Sequence, residues 1–124
     1  MRIIARAALA AGLAAFAAGA ALAQDPVKVD PRHYKVEFEN AQVRVLRIHY
    51  GPHETSVMHT HPDGVVVSLS DSRTRFLLPG GKAIVSDMKA GRAQWAPGGP
   101  HKPTNLGNTP TDAVLVELKG THAK

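Results

Sequence analysis

The sequence predicts an all-β chain folded as an antiparallel sandwich or barrel. Apolar residues recur at period two rather than 3.6, as in Tyr34-Lys35-Val36-Glu37-Phe38-Glu39. Gly and Pro punctuate the gaps between such runs, and about eight runs follow one another at the 8–12-residue spacing of sandwiches and barrels. No window after the first 23 residues carries a helical stripe.

The chain opens differently. Met1 to Arg6 is a short basic region, Ala7 to Ala21 is apolar and Ala-rich, and Ala21-Leu22-Ala23 places small residues where a signal peptidase reads. This predicts a cleavable signal peptide over 1–23 and a periplasmic or secreted product. The apolar run of about 15 residues falls short of the roughly 20 needed to cross a bilayer, so no stable membrane insertion is expected after cleavage. A polar, Pro-containing lead over 24–33 then precedes a single barrel domain over 34–120.

Within that domain each element has its own signal. The alternation from Tyr34 resumes in Val43 to Tyr50 and stops at Gly51-Pro52. Val65-Val66-Val67-Ser68-Leu69 is β-branched enough for a buried strand. Arg73 to Leu78 meets the turn signal Pro79-Gly80-Gly81-Lys82, and Ala83 to Met88 completes a hairpin. Arg92 to Ala96 and Lys102 to Leu106 are shorter candidates, and Thr111 to Leu118 closes the domain with strict alternation. Such chains hide their sheet edges by folding two sheets together, as in a jelly roll.

Composition narrows the chemistry. The 124 residues contain no Cys, which excludes disulfides, thiolate metal sites and Cys nucleophiles, but they include 7 His. The formal charge of +5 includes Arg2 and Arg6 of the predicted leader, and the remaining basic residues are scattered singly. No nucleic-acid partner is expected from that pattern. Ser56, Ser68, Ser70, Ser72 and Ser86 lie in no Gly-x-Ser-x-Gly elbow, and no phosphate-binding Gly-rich loop is present.

The candidate site is His59-Thr60-His61. In an extended segment, side chains at i and i+2 point to the same face, so two imidazoles aim together while Thr60 aims away. His101, after the rigid Ala96-Pro97-Gly98-Gly99-Pro100, can supply a third from a distant part of the chain. Imidazoles among Met58, Pro62 and Val65 to Val67 would cost roughly 1–3 kcal/mol each if buried without partners, which a bound ion offsets. Three imidazoles plus water suit one divalent transition metal (Fe, Mn, Ni, Cu or Zn) rather than calcium or magnesium. Coordination requires neutral rings, and an ordinary imidazole pKa near 6.5 predicts metal loss below roughly pH 5.

Gly51, His59-x-His61 and, about thirty residues on, Gly91-x5-Pro97-x-Gly99-x-His101-x3-Asn105 together resemble the two motifs of the cupin superfamily, over roughly residues 40–118. The resemblance implies a small cupin-like jelly-roll barrel of two antiparallel sheets, with a metal held by His59, His61 and His101. The sequence departs from the pattern in three ways. The first motif's usual Glu is replaced by Val65 or Val66, its Gly-to-His gap is longer by two residues, and the second motif's Gly-to-His step is shorter by one. Some cupins, such as the thiol dioxygenases, work with three His and no Glu. Glu54, His53 and Asp63 are the nearby substitutes for the lost carboxylate, and all three read as exposed.

Other polar residues read more plainly. His33, His49 and His122 are expected on the solvated surface, Trp95 in the core, and Arg92 and Lys102 on a solvated face. Asn105 is expected to fix a turn through the backbone, and Tyr50 is a possible general acid with no nameable partner. The function expected is metal-assisted chemistry on a small organic molecule, a dioxygenase-like oxidation or an isomerisation. The alternative is a non-catalytic periplasmic module that binds a metal or small ligand. Exposed strand edges, and the pairing common in the resembled family, imply a homodimer.

Overall fold

The computed structural model describes residues 24–120; the expected signal peptide and His122 lie outside the described residues. Asp25 caps a one-turn helix, α1 (Pro26–Val29), its side chain accepting from the amide of Val27 at 3.1 Å. Nine strands follow: β1 (Tyr34–Glu39), β2 (Val43–Tyr50), β3 (His59–His61), β4 (Gly64–Ser68), β5 (Ser72–Leu77), β6 (Ala83–Met88), β7 (Ala93–Ala96), β8 (Gly99–Asn105) and β9 (Thr111–Leu118). The expected hairpin is β5–β6, joined through a 3-10 turn at Pro79–Gly81 in which Gly80 takes φ 87°.

The strands form two antiparallel sheets, one in the order β1-β2-β9-β4-β7 and the other β3-β8-β5-β6. This is the jelly-roll arrangement expected from the sequence. Non-consecutive neighbours dominate because strands distant in the chain, such as β2 and β9, pair along their whole length from Val43↔Leu118 to Tyr50↔Thr111. Close approach governs one crossing. A Cβ on Gly64 would stand 2.3 Å from the carbonyl oxygen of Val116, so only glycine lets β4 lie against β9 there.

The apolar core is small: Tyr34, Leu46, Tyr50 and Leu115 are buried together, with Val27, Ile48, Val66 and Ala96 against them. Beside it lies an unusually polar interior of His33, Ser56, His59, His61, Ser68, Asn105 and Glu117, all buried. Buried polar groups persist only when hydrogen-bonded or bound to something. Two expectations fail here. His33 is buried, 3% exposed, because the lead segment folds back over the barrel and encloses it. Trp95 is 53% exposed, because β7 is an edge strand that turns this side chain away from the core.

Candidate metal centre

His59 and His61 sit at the two ends of β3 with Thr60 between them, both buried, as the i, i+2 spacing predicts. His101 arrives from β8, where it is the direct cross-strand partner of His59. The Pro/Gly segment therefore sets register rather than presenting a loop. A Cβ on Gly98 would lie 2.8 Å from both the His61 carbonyl oxygen and the Asp63 amide, so glycine allows β8 to begin against the chain leaving His61. The Gly98 amide donates to Asp63 Oδ1 at 2.6 Å, which closes that junction.

One ring nitrogen from each of the three imidazoles lies within 4.8 Å of the others. Ring centroids are 4.9 Å apart for His59–His61 and His59–His101, and 5.2 Å for His61–His101. The ring planes stand at 90°, 87° and 74° to one another in these three pairs, so no two of the imidazoles stack face to face. Phe76 on β5 stacks against His101 at 5.0 Å and limits its rotation. Tyr34 lies edge-on to His59, with ring centroids 4.9 Å apart.

Each β3 histidine is oriented from behind. His61 Nδ1 donates to Glu117 Oε2 at 2.7 Å, and Glu117 Oε1 accepts from Arg44 Nε at 2.8 Å. Arg44 is clamped in turn by both carboxylate oxygens of Asp25, at 2.9 and 3.1 Å. His59 Nδ1 donates to the Val57 carbonyl at 2.9 Å and lies 3.2 Å from Ser56 Oγ, whose hydroxyl donates to Asp30 Oδ2. Committing Nδ1 in this way leaves Nε2 to face the centre, the arrangement by which outer groups select a ligand tautomer. The Nε2 atoms of His59 and His101 are buried and have no hydrogen-bond partner within the described residues.

Charge follows the same logic. Burial, reinforced by the charge of His61, pushes the His59 imidazole down from 6.5 to about 4. Burial first, then the neighbouring His61 and His59, pushes His101 to about 3. Both rings are therefore neutral donors at physiological pH. Burial alone would raise the Glu117 carboxyl, but hydrogen bonds from His61 and Arg44 outweigh it and hold the group below the usual range. An anion thus stands behind His61. The donor set of neutral imidazoles with orphaned inward nitrogens, backed by an ionised carboxylate, fits a divalent transition metal.

The substitutes considered for the missing carboxylate do not reach the centre. Glu54 faces outward to the Gly51 amide at 2.8 Å and to His33 Nε2 at 3.0 Å. His53 is exposed and bonds Asn108, and Asp63 is exposed at the Gly98 junction. Asn105 fills the backbone role expected of it: its amide donates to the carbonyls of Gly51 at 3.1 Å and Thr109 at 2.9 Å, while Oδ1 accepts from the Gly107 amide. Tyr50 has the partner the sequence did not reveal, the hydroxyl of Tyr34 at 2.6 Å, and its ring stacks on His33 at 4.2 Å. Burial raises its phenol above the ordinary value, which disfavours proton donation. His49 is exposed beside Asp112, Arg92 is exposed, and Lys102 is half-buried.

The residues that sequence reasoning missed are the supports: Glu117, Arg44, Asp25, Ser56 and Asp30. Glu117 left a faint signal, since it shares its strand face with Ala113 and Leu115, but Val114, Val116 and Leu118 make the opposite face the more apolar of the two.

No family model matches the chain, and no curated protein matches it either. Solved structures do. A cupin domain from Bordetella pertussis is 26% identical, with a TM-score of 0.65 over 70% of this chain and 92% of that one. A Klebsiella pneumoniae protein with a double-stranded β-helix domain is 27% identical, with a TM-score of 0.56 over 71% and 76%. A polyketide cyclase from Streptomyces resistomycificus, 16% identical with a TM-score of 0.52 over 68% and 63%, shares the fold alone.

Proposed function

Since the chain belongs to the cupin superfamily, we propose that it binds one divalent transition metal through His59, His61 and His101 and performs dioxygenase-like or isomerising chemistry on a small organic molecule. The observation that carries this reading is the pair of buried Nε2 atoms, on His59 and His101, aimed at one point with no protein partner among the described residues. Leaving both unsatisfied would cost roughly 1–3 kcal/mol each, and a metal removes that cost. When bound, the metal would supply Lewis acidity or a site for dioxygen.

The protein's own contribution is orientation. Glu117 and Ser56 hold the β3 imidazoles in the coordinating tautomer. Phe76 and its cross-strand neighbour Ile84, which is 49% exposed, give the barrel side near His101 an apolar lining suited to the carbon skeleton of a small molecule. The predicted leader supports action outside the cytoplasm.

Elemental analysis of the purified protein tests the site. Close to one metal per chain is expected, falling to a small fraction in His59→Ala and His101→Ala; unchanged metal content in both variants would refute it. One observation favours a second reading, a carrier without turnover. The carboxylates that reach the ring system are committed elsewhere, Glu117 to His61 and Arg44, and Asp30 to Ser56 and His33. Oxygen uptake with a panel of thiols, phenols and diketones supports the enzyme, and metal transfer to a chelator without uptake supports the carrier.

A further inference from the structure

Residues 24–33 add no strand to either sheet. Their one regular element is the single turn of α1, and within them only Pro26 and His33 are buried, with Val27 half-buried against the core. What ties them down is mostly polar. The Gln24 carbonyl accepts at 2.8 Å from the amide of Thr60, between the two β3 histidines, and the His33 carbonyl accepts from the His49 amide at 3.1 Å. Asp25 clamps Arg44, and Asp30 accepts from Ser56. The His33 ring is held at both nitrogens, 2.7 Å from Asp30 and 3.0 Å from Glu54.

A hydrogen bond or partly exposed ion pair in water replaces contacts to solvent, so its net gain is small, and a segment held mainly by such contacts opens locally far more readily than the sheets beneath it. Yet these contacts end on the groups that orient the centre. Asp25 reaches His61 through Arg44 and Glu117, Asp30 reaches His59 through Ser56, and Gln24 holds the backbone between the two rings. We infer that residues 24–33 form a strap whose closure is coupled to occupancy of the centre: metal at the three histidines tightens the strap, and a loosened strap weakens the hold on metal. The inference rests on the metal reading above and adds a control element to it.

Coupling of this kind is reciprocal. With the strap lifted, Arg44 loses both oxygens of Asp25 and Ser56 loses its acceptor, so the groups behind His61 and His59 are free to turn and the two rings lose part of their alignment. A metal that needs the rings aimed at one point therefore favours the closed strap, by the same factor that closure favours metal. No strap residue is itself one of the three histidines, so the effect passes only through these supports. The link between β6 and β7 offers a contrast. There Lys89 pairs with Asp71, and the Gly91 amide and Arg92 carbonyl bond the backbone of Ser68; none of these contacts leads to a histidine of the centre.

Amide hydrogen exchange, resolved by residue, reads the strap directly. Within it the Lys28 and Val29 amides donate to the Asp25 carbonyl at 3.0 Å and the Asp30 amide to the Pro26 carbonyl at 2.7 Å, while the Gly91 and Arg92 amides, bonded at 2.7 and 3.0 Å, serve as controls. The purified protein is compared after chelation and at saturating Zn²⁺, with bound zinc measured on the same samples. Zinc should slow exchange at Lys28, Val29 and Asp30 by about tenfold or more and leave Gly91 and Arg92 within about twofold. Asp25→Asn with Asp30→Asn should bind zinc roughly tenfold more weakly and, once saturated, lose most of that slowing. Val27→Ala loosens the strap without touching the supports, so it should speed exchange in both states and keep their ratio; this variant carries the comparison should the double variant fold poorly. Bound zinc with unchanged strap exchange would overturn the inference, as would equal slowing at the controls, a slowing that survives the double substitution, or a ratio lost in Val27→Ala. Each of these leaves the metal reading standing, whereas a chain that takes up no zinc or other transition metal overturns both.

Discussion

Glu117 carries more of the centre than any residue outside the three imidazoles. It is buried, accepts from His61 and Arg44, and is held ionised by both. Glu117→Gln keeps the shape and removes the anion, so metal affinity should fall by roughly 10–100-fold, read by competition with a chromophoric chelator, while the fold persists. The imidazoles make a separate prediction about acidity. Their unfolded forms take protons near pH 6.5, but His59 and His101 in the fold do so only near 4 and 3. Between those values the unfolded chain binds more protons, so the metal-free protein should lose stability as pH falls from 6.5 toward 4, by an amount on the order of a few kcal/mol. Urea titrations of chelated protein at stepped pH measure this. The same depression weakens proton competition for the ligands, so metal should survive at pH 5 and be released only as pH approaches 4 and below, lower than an unperturbed imidazole implies.

At the scale of elements, the centre is a problem of register. His59 faces His101 because β3 pairs with β8 at that residue, and a shift by one would turn either ring to the opposite face. The lead segment contributes as an element too: Asp25 at the cap of α1 clamps Arg44, and Asp30 just beyond α1 holds Ser56, so both β3 histidines are braced from residues before the first strand. Tight crossings keep the strands in place. Gly64→Ala would drive a methyl to 2.3 Å from the Val116 carbonyl, which forces backbone movement. A loss of about 1–3 kcal/mol is expected, visible as a lower denaturant midpoint at unchanged slope.

The whole molecule has a small apolar core and a polar interior, so a ligand that binds only the folded state should contribute much of its stability. At free metal one hundred times the dissociation constant, the gain is about 2.7 kcal/mol, equivalent to a rise of roughly 10 °C or more for a domain of this size. Calorimetry with increasing metal should show that rise in the native chain and lose it in His59→Ala. Scans at matched protein concentration keep any contribution from self-association constant.

The two-sheet barrel was legible in the chain because period-two alternation and Gly/Pro punctuation are local properties, and local geometry obeys them. The convergence of the three histidines was legible because the i, i+2 spacing of His59 and His61 fixes a common face wherever the strand goes, and because the order of Gly, Pro, His and Asn around His101 resembles a known motif. What surrounds the triad was not. Glu117, Arg44, Asp25, Ser56 and Asp30 become supports through hydrogen bonds across the fold, the longest joining residues 73 positions apart in sequence, and no local pattern records such a contact. His33 and Trp95 exchanged their expected places for the same reason: burial belongs to the assembled sheets, and the closing of the lead segment over one and the edge position of the other were settled only in three dimensions. The face of β9 marks the boundary most clearly. Alternation alone leaves open which face of β9 turns inward, and the tertiary structure turns Glu117 inward, because only the pairing of β9 with β2 and β4 brings its carboxylate to Arg44 and His61.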